Sequence, residues 1–265
     1  MLPSPPELPT TRDGLVEAVN STLRAVALLA TEITEPQAML DTPCAGWTVR
    51  DQIAHVVGLE ARCIGQPGPD SHQIPTDLAH VTSDTKKFME IDVDYRRSVP
   101  WSVVQAEAAE VLTARMEQLR MLDFDAETLI ESPFGPRPAK AALSLRTFDI
   151  WAHEQDIRDA IDRPGGMDTP AAGVAIARCV GALGHIGKEA GLSETEAVTL
   201  EVPDGPFAFS VSSNSVGESK ATLRMTAATL TRLCCGRSSA DRESVQITGD
   251  TAIGARFLDA MAITP

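Results

Sequence analysis

Apolar residues recur at helical spacing over five stretches of the first 165 residues. These are 11–30, 48–64, a stretch near 84–97, 100–122 and 139–161. Thr48, Val49, Arg50 and Asp51 open the second stretch in the form of a capping box, with Asp in the place of Glu. Pro100 suits the start of the fourth. Gly65-Gln66-Pro67-Gly68 and Pro164-Gly165-Gly166 close the second and fifth, and residues 132–136 read as a loop. After residue 166 the texture changes. One more helix is predicted at 170–190. Short β-like runs follow at 197–202, 207–212, 221–225 and 244–248, with helices at 226–235 and 251–261 between and after them. The pattern predicts an α+β chain: an arm at 1–10, a helical bundle at 11–165 and a smaller α+β domain at 166–265. No internal repeat or coiled-coil heptad is visible.

Composition narrows the classes. Of the 265 residues, 43% are hydrophobic and 23% charged, which suits a packed core. The net charge of −14 argues against a nucleic-acid partner, which would need clustered Lys and Arg. No apolar run is read as a membrane span and no secretory signal is read at the start, so a cytoplasmic protein is expected. The five cysteines, two of them adjacent at 234 and 235, are then reduced thiols rather than a disulfide framework.

The stretch at 139–161 carries unusual chemistry. On a helix, Asp149, His153 and Asp156 fall on one narrow face among apolar neighbours. Buried carboxylates need partners, and an imidazolium, an arginine or a divalent cation would serve. Asp149 and His153 stand one turn apart and can converge on one point. With His55 from the second helix they would make three ligands and an open position, the pattern of catalytic zinc. The same i, i+4 spacing also suits an ion pair on a helix surface. His55 lies on a mixed face with Gln52, Leu59 and Arg62, which fits a pocket lining and equally fits exposure. Trp47, just ahead of the Thr48 cap, reads as a packing residue. Glu154 points off the stripe and reads as solvated, Cys63 reads as a buried thiol, and His72, His80 and His185 stand in no ligand spacing.

Residues 46–56, GWTVRDQIAHV, resemble the W-[ST]-V-x-D-x-x-A-H segment of mycothiol-dependent maleylpyruvate isomerase-like proteins. Residues 146–158, RTFDIWAHEQDIR, look like the second signature of that family. The stretch 229–265, with LCCGR at 233–237 and ITGD at 247–250, is similar to its C-terminal domain. The resemblance implies a DinB-like four-helix bundle followed by a small α/β domain like that of sterol-carrier proteins. It implies a divalent metal, usually zinc, held by His55, Asp149 and His153. The acidic ligand departs from the family, where it is usually Glu.

The resemblance also implies mycothiol, the small thiol of actinobacteria, as cosubstrate. A bound metal lowers a thiol's pKa and delivers thiolate. In the isomerase reaction the thiolate adds to the cis double bond of maleylpyruvate, the resulting single bond rotates, and thiolate is expelled. Thiol transfer, in which the adduct is the product, would use the same centre. The expected activity is therefore that of a mycothiol-dependent isomerase or S-transferase on a small anionic electrophile, in a monomer or homodimer. Arg237 is the candidate cation for the substrate and a catalytic residue by resemblance; capping of the preceding helix is its other reading. Arg62 is a second substrate-binding candidate, and Asp156 a candidate to orient an imidazole. A metal-dependent hydrolase on the same bundle, or a metal- or ligand-binding protein without turnover, are the competing functions.

Overall fold

The computed structural model describes residues 2–237 and 240–264. Met1 of the expected arm, and Ser238, Ser239 and Pro265 of the expected C-terminal domain, lie outside the described residues. The chain divides into two compact units. One runs from Pro9 to Gly166, and the other comprises the described residues from Met167 onward together with residues 2–8. Residues 2–8 do not stand off as an arm: Ser210 N donates to the Pro3 carbonyl at 3.1 Å.

In the first unit, α1 (Arg12–Glu32), α3 (Val49–Cys63), α5 (Trp101–Met121) and α6 (Ala139–Ala160) form a closed bundle. α1 packs on α5 and α6, and α3 packs on the same two helices. The short α2 (Glu35–Ala38) precedes α3, and α4 (Asp84–Arg97) packs on the outer side of α3. Leu15, Val19, Leu23 and Val26 of α1 meet Ile53 and Val57 of α3, Val104, Val111 and Leu112 of α5, and Leu143, Ile150 and Ile157 of α6 in one apolar core. The spacing of these residues by three and four is what commits each segment to helix. The α3 capping box forms as read: Asp51 N donates to Thr48 Oγ1 and Thr48 N donates to Asp51 Oδ2.

Two local features escaped the pattern. Residues 132–136 are the tip of a small hairpin, in which β1 (Leu129–Ile130) pairs antiparallel with β2 (Arg137–Pro138). Strands of two residues carry no readable period. The enclosure of α3 by three helices is the other feature. Thirteen of its fifteen residues are buried, Gln52, His55 and Glu60 among them.

In the second unit, α7 (Pro170–Gly181) and α8 (Leu183–Glu189) replace the single helix expected at 170–190. The break falls at Ala182, between Gly181 and Gly184, whose lack of a side chain weakens helix propagation. Together the two segments are long and apolar enough by length and composition to cross a membrane, which corrects the reading of no candidate span. Ala172, Ala175, Ile176 and Cys179 of α7 are buried, as in the core helix of a globular protein. The strands β3 (Glu196–Val202), β4 (Phe209–Ser212), β5 (Glu218–Arg224) and β6 (Gln246–Gly249) form one sheet in the order β4-β3-β5-β6. β3 and β5 are parallel, with Leu200 opposite Leu223, and the two outer pairings are antiparallel. α9 (Ala227–Cys234) and α10 (Ala240–Glu243) lie between β5 and β6 in sequence. α11 (Thr251–Asp259) closes the chain, with Asp250 capping its first turn.

Candidate metal centre

α3 and α6 pack directly, and their contact brings His55, Asp149 and His153 together. One ligand atom from each lies within 4.8 Å of the other two. His55 Nε2 stands 3.3 Å from Asp149 Oδ2, and His153 Nε2 stands 3.7 Å from Asp149 Oδ1. The two imidazole rings meet edge-on, with centroids 4.6 Å apart. His55 is therefore not exposed: 1% of its side chain is open, while Asp149 keeps 25% open and forms the one accessible edge of the triad.

A divalent metal fits this donor set. Two imidazoles and a carboxylate are zinc ligands, and a tetrahedron with metal–donor distances of about 2.0–2.1 Å has edges of roughly 3.3 Å. His55 faces Asp149 Oδ2 at 3.3 Å and His153 faces Oδ1 at 3.7 Å, so the carboxylate presents a different oxygen to each ring, and one ligand atom from each residue lies within 4.8 Å of the others. Burial pushes the His55 imidazole from 6.5 down to about 4, against the pull of Asp149, so it is neutral and ready to ligate at neutral pH. Burial also works to raise the Asp149 carboxyl. Arg146, His55 and His153 outweigh it and hold that group well below the usual carboxylate range.

The surroundings were not legible in the sequence. Arg146, one turn before Asp149, donates Nη1–H to Asp149 Oδ2 at 2.7 Å and Nε–H to Glu60 Oε1 at 2.8 Å. Arg115 of α5 donates Nε–H to Glu60 Oε2 at 2.9 Å. Glu60, Arg115 and Arg146 are all buried, so the two arginines and two carboxylates balance inside the bundle. Arg146 lies inside the quoted signature, and its i, i+3 spacing to Asp149 was the available signal. Glu60 and Arg115 gave none, being 55 residues apart in the chain.

Trp47 does more than pack ahead of a cap. Its ring lies over both histidines, with centroids 5.0 Å from His55 and 5.6 Å from His153. Its indole N–H donates to Glu90 Oε2 at 2.8 Å. Glu90 is fully buried and also accepts from His80 Nε2 at 2.9 Å and from Arg97 Nη1 at 2.6 Å. His80 thus has a structural partner, as does His72, which donates to Asp94 at 2.7 Å.

The remaining candidates divide. Asp156 Oδ2 stands 3.7 Å from His153 Nδ1, and Gln52 Oε1 is in hydrogen-bond contact with the same nitrogen. Arg62 pairs with Asp92 of α4 at 2.9 Å and with Asp70, between α3 and α4, at 2.6 Å, and lies over the Phe88 ring. Arg237 donates Nη1–H to the Cys235 carbonyl at 3.0 Å, which caps the end of α9. Glu154 is buried rather than solvated. It accepts from Thr22 at 2.8 Å and from Arg158 at 2.8 Å, because α1 covers that side of α6. All five cysteines are unbridged, and Cys63 is buried as expected.

Comparison with known proteins decides the family. The family described as "Mycothiol maleylpyruvate isomerase N-terminal domain" matches residues 19–158, more than half of the chain. The chain belongs to this family. The stretches 46–56 and 146–158 that carried the resemblance, and all three residues of the triad, lie within the match, while the similar stretch 229–265 lies outside it. No curated protein sequence matches the chain. Among solved structures, the mycothiol-dependent maleylpyruvate isomerase is similar with a TM-score of 0.57 and 16% identity, covering 89% of this chain and 92% of that one. A histidine-to-alanine variant of the same enzyme is similar with a TM-score of 0.56, at the same identity and coverage. At that identity the likeness establishes the α+β fold.

Proposed function

We propose that this member of the family is a metal-dependent enzyme that uses mycothiol on a small, anionic, electrophilic substrate. The reaction is cis–trans isomerisation of the maleylpyruvate kind or thiol transfer. The observation that carries the reading is the convergence of His55, Asp149 and His153 at the α3–α6 contact of a chain in this family. A divalent cation such as zinc, when bound, supplies a Lewis acid that stabilises a thiolate at neutral pH.

The chain's own residues prepare for that chemistry. His55 is held neutral by burial, so it offers a lone pair rather than a charge. Asp149 stays ionised, and Arg146 orients its Oδ2. Trp47 packs against both histidine rings, with centroids 5.0 Å from His55 and 5.6 Å from His153. Because Glu60, Arg115, Arg146 and Asp149 already balance, an added dication leaves the site positive, which favours an anionic ligand such as a thiolate. Reduced thiols and a cytoplasmic setting belong to the same reading.

The test begins with elemental analysis of the purified protein, followed by thiol-dependent turnover of maleylpyruvate and related electrophiles. One metal per chain and turnover that requires mycothiol are expected, with both lost in His153→Ala. Undiminished thiol-dependent turnover in metal-free His153→Ala would overturn the mechanism. Full metal occupancy without turnover with any thiol would transfer the centre to a hydrolase or a binding protein.

A further inference from the structure

The two histidines of the triad are not held alike. His55 Nδ1 is buried with no hydrogen-bond partner among the described residues. His153 Nδ1 is in short contact with Gln52 Oε1, and Gln52 is fully buried. A chain of hydrogen bonds continues from Gln52. Its Nε2 lies 2.6 Å from Thr42 Oγ1, which lies 2.8 Å from the Trp47 carbonyl and 3.4 Å from the Cys44 carbonyl.

The direction of every bond in that chain follows from its end. The carbonyls of Trp47 and Cys44 can only accept, so the single Thr42 hydroxyl proton goes to one of them. Thr42 Oγ1 is then an acceptor toward Gln52, and the Gln52 group facing it must be the NH2. The opposite end of the amide, its carbonyl oxygen, faces His153. A carbonyl oxygen beside Nδ1 requires a proton on Nδ1. In the neutral ring Nε2 is then the lone pair, and it stands 3.7 Å from Asp149 Oδ1, itself an acceptor. Two acceptors turned toward each other leave a place for a cation.

The geometry points to Gln52 as a positioning residue, oriented by Thr42, that fixes the Nδ1–H tautomer of His153 and so aims its Nε2 lone pair into the centre. The use of that lone pair rests on the metal reading above; the tautomer does not. Without the relay, Asp156 Oδ2 at 3.7 Å from Nδ1 and Asp149 Oδ1 at 3.7 Å from Nε2 would compete for the proton, and in the fraction protonated on Nε2 that nitrogen would be lost as a ligand. Such outer partners of ligating histidines change metal affinity by about ten- to a hundredfold.

Long-range 15N–1H correlation spectra of the metal-free, 15N-labelled protein at pH 8 read the tautomer directly. Wild type is expected to show His153 with Nδ1 protonated and Nε2 unprotonated. Gln52→Met, similar in length but without an acceptor, is expected to populate the Nε2–H form beside the Nδ1–H form, for which only Asp156 Oδ2 at 3.7 Å remains. It should also weaken zinc binding, measured against a chromophoric chelator, by about ten- to a hundredfold. Gln52→Glu keeps an acceptor at the same place and is expected to retain the Nδ1–H form. Where Gln52→Met does not fold, Thr42→Val frees the amide to flip and is expected to give a mixture of tautomers. An Nε2–H ring in wild type, or an unchanged Nδ1–H ring in both Gln52→Met and Thr42→Val, would overturn the assignment. A wild-type protein that shows the Nδ1–H ring but binds no zinc would leave the relay standing and remove the metal reading instead.

Discussion

Arg146 stands one helical turn before Asp149 and donates to its Oδ2 at 2.7 Å. The carboxylate that would face a metal therefore has a permanent counter-charge, itself tied to Glu60. This counter-charge supports an ionised carboxylate at the partly open edge of the site before any cation arrives. Burial disfavours the Arg146 charge, but Glu60 and Asp149 more than restore it. Arg146→Met should leave Glu60 short of a partner and Asp149 uncompensated. A stability loss of about 3–5 kcal/mol is expected, read as a shift of the urea transition. A loss below about 1 kcal/mol would show that the carboxylates do not depend on this cation.

Acidification should unfold the metal-free protein through the same site. In the folded chain His55 takes up a proton only near pH 4, against 6.5 in the open chain. Its contribution is complete above pH 6.5 and is lost as pH falls from 6.5 to about 4. The shift corresponds to about 3 kcal/mol across that window. Asp149, depressed from 3.8, adds a further loss below that value. Stability measured by urea titration at successive pH values should fall through the window in wild type. It should be flatter there in His55→Asn; equal slopes in the two proteins would contradict the assignment.

Gly58, in the interior of α3, should not tolerate alanine. An exposed helix interior gains about 1 kcal/mol from Gly→Ala. Here a Cβ would meet Asp92 Cβ at 2.5 Å and Cγ at 2.6 Å. Asp92 cannot swing aside, because Arg62 and Arg96 hold its carboxylate. Gly58→Ala should cost about 1–3 kcal/mol by prying α4 from α3. A rise in melting temperature would show that this helix contact is looser than described.

Thiol reactivity should be confined to Cys44. Cys63 is 3% exposed, and burial with Glu60 nearby pushes its thiol up to about 11. Cys179 is held well above the usual range by its hydrogen bond with Cys234 and by burial, and Cys234 and Cys235 are buried too. Cys44 alone is partly exposed. Ellman's reagent should titrate one thiol per native chain and five in denaturant, and Cys44→Ser should abolish the native reaction. Rapid labelling of a second thiol in the native protein would contradict this burial.

Helical periodicity determined the five long segments of the first unit and the turn that separates Asp149 from His153, and the capping-box motif determined the Thr48–Asp51 cap. These are properties of one segment wound at 3.6 residues per turn, so they can be read without knowing its neighbours. What meets that segment is another matter. The mixed face of α3 carried His55 and Gln52 with no sign of whether it would be covered. Only the packing of α3 between α4, α5 and α6 placed those side chains beside Asp149 and His153. The same holds for Glu60 beside Arg115 and Arg146, for Trp47 on Glu90, and for β3 lying parallel to β5. A period marks which residues share a face, whereas a buried charge or amide is stable only with a partner, and the chain reaches that partner only after it has folded.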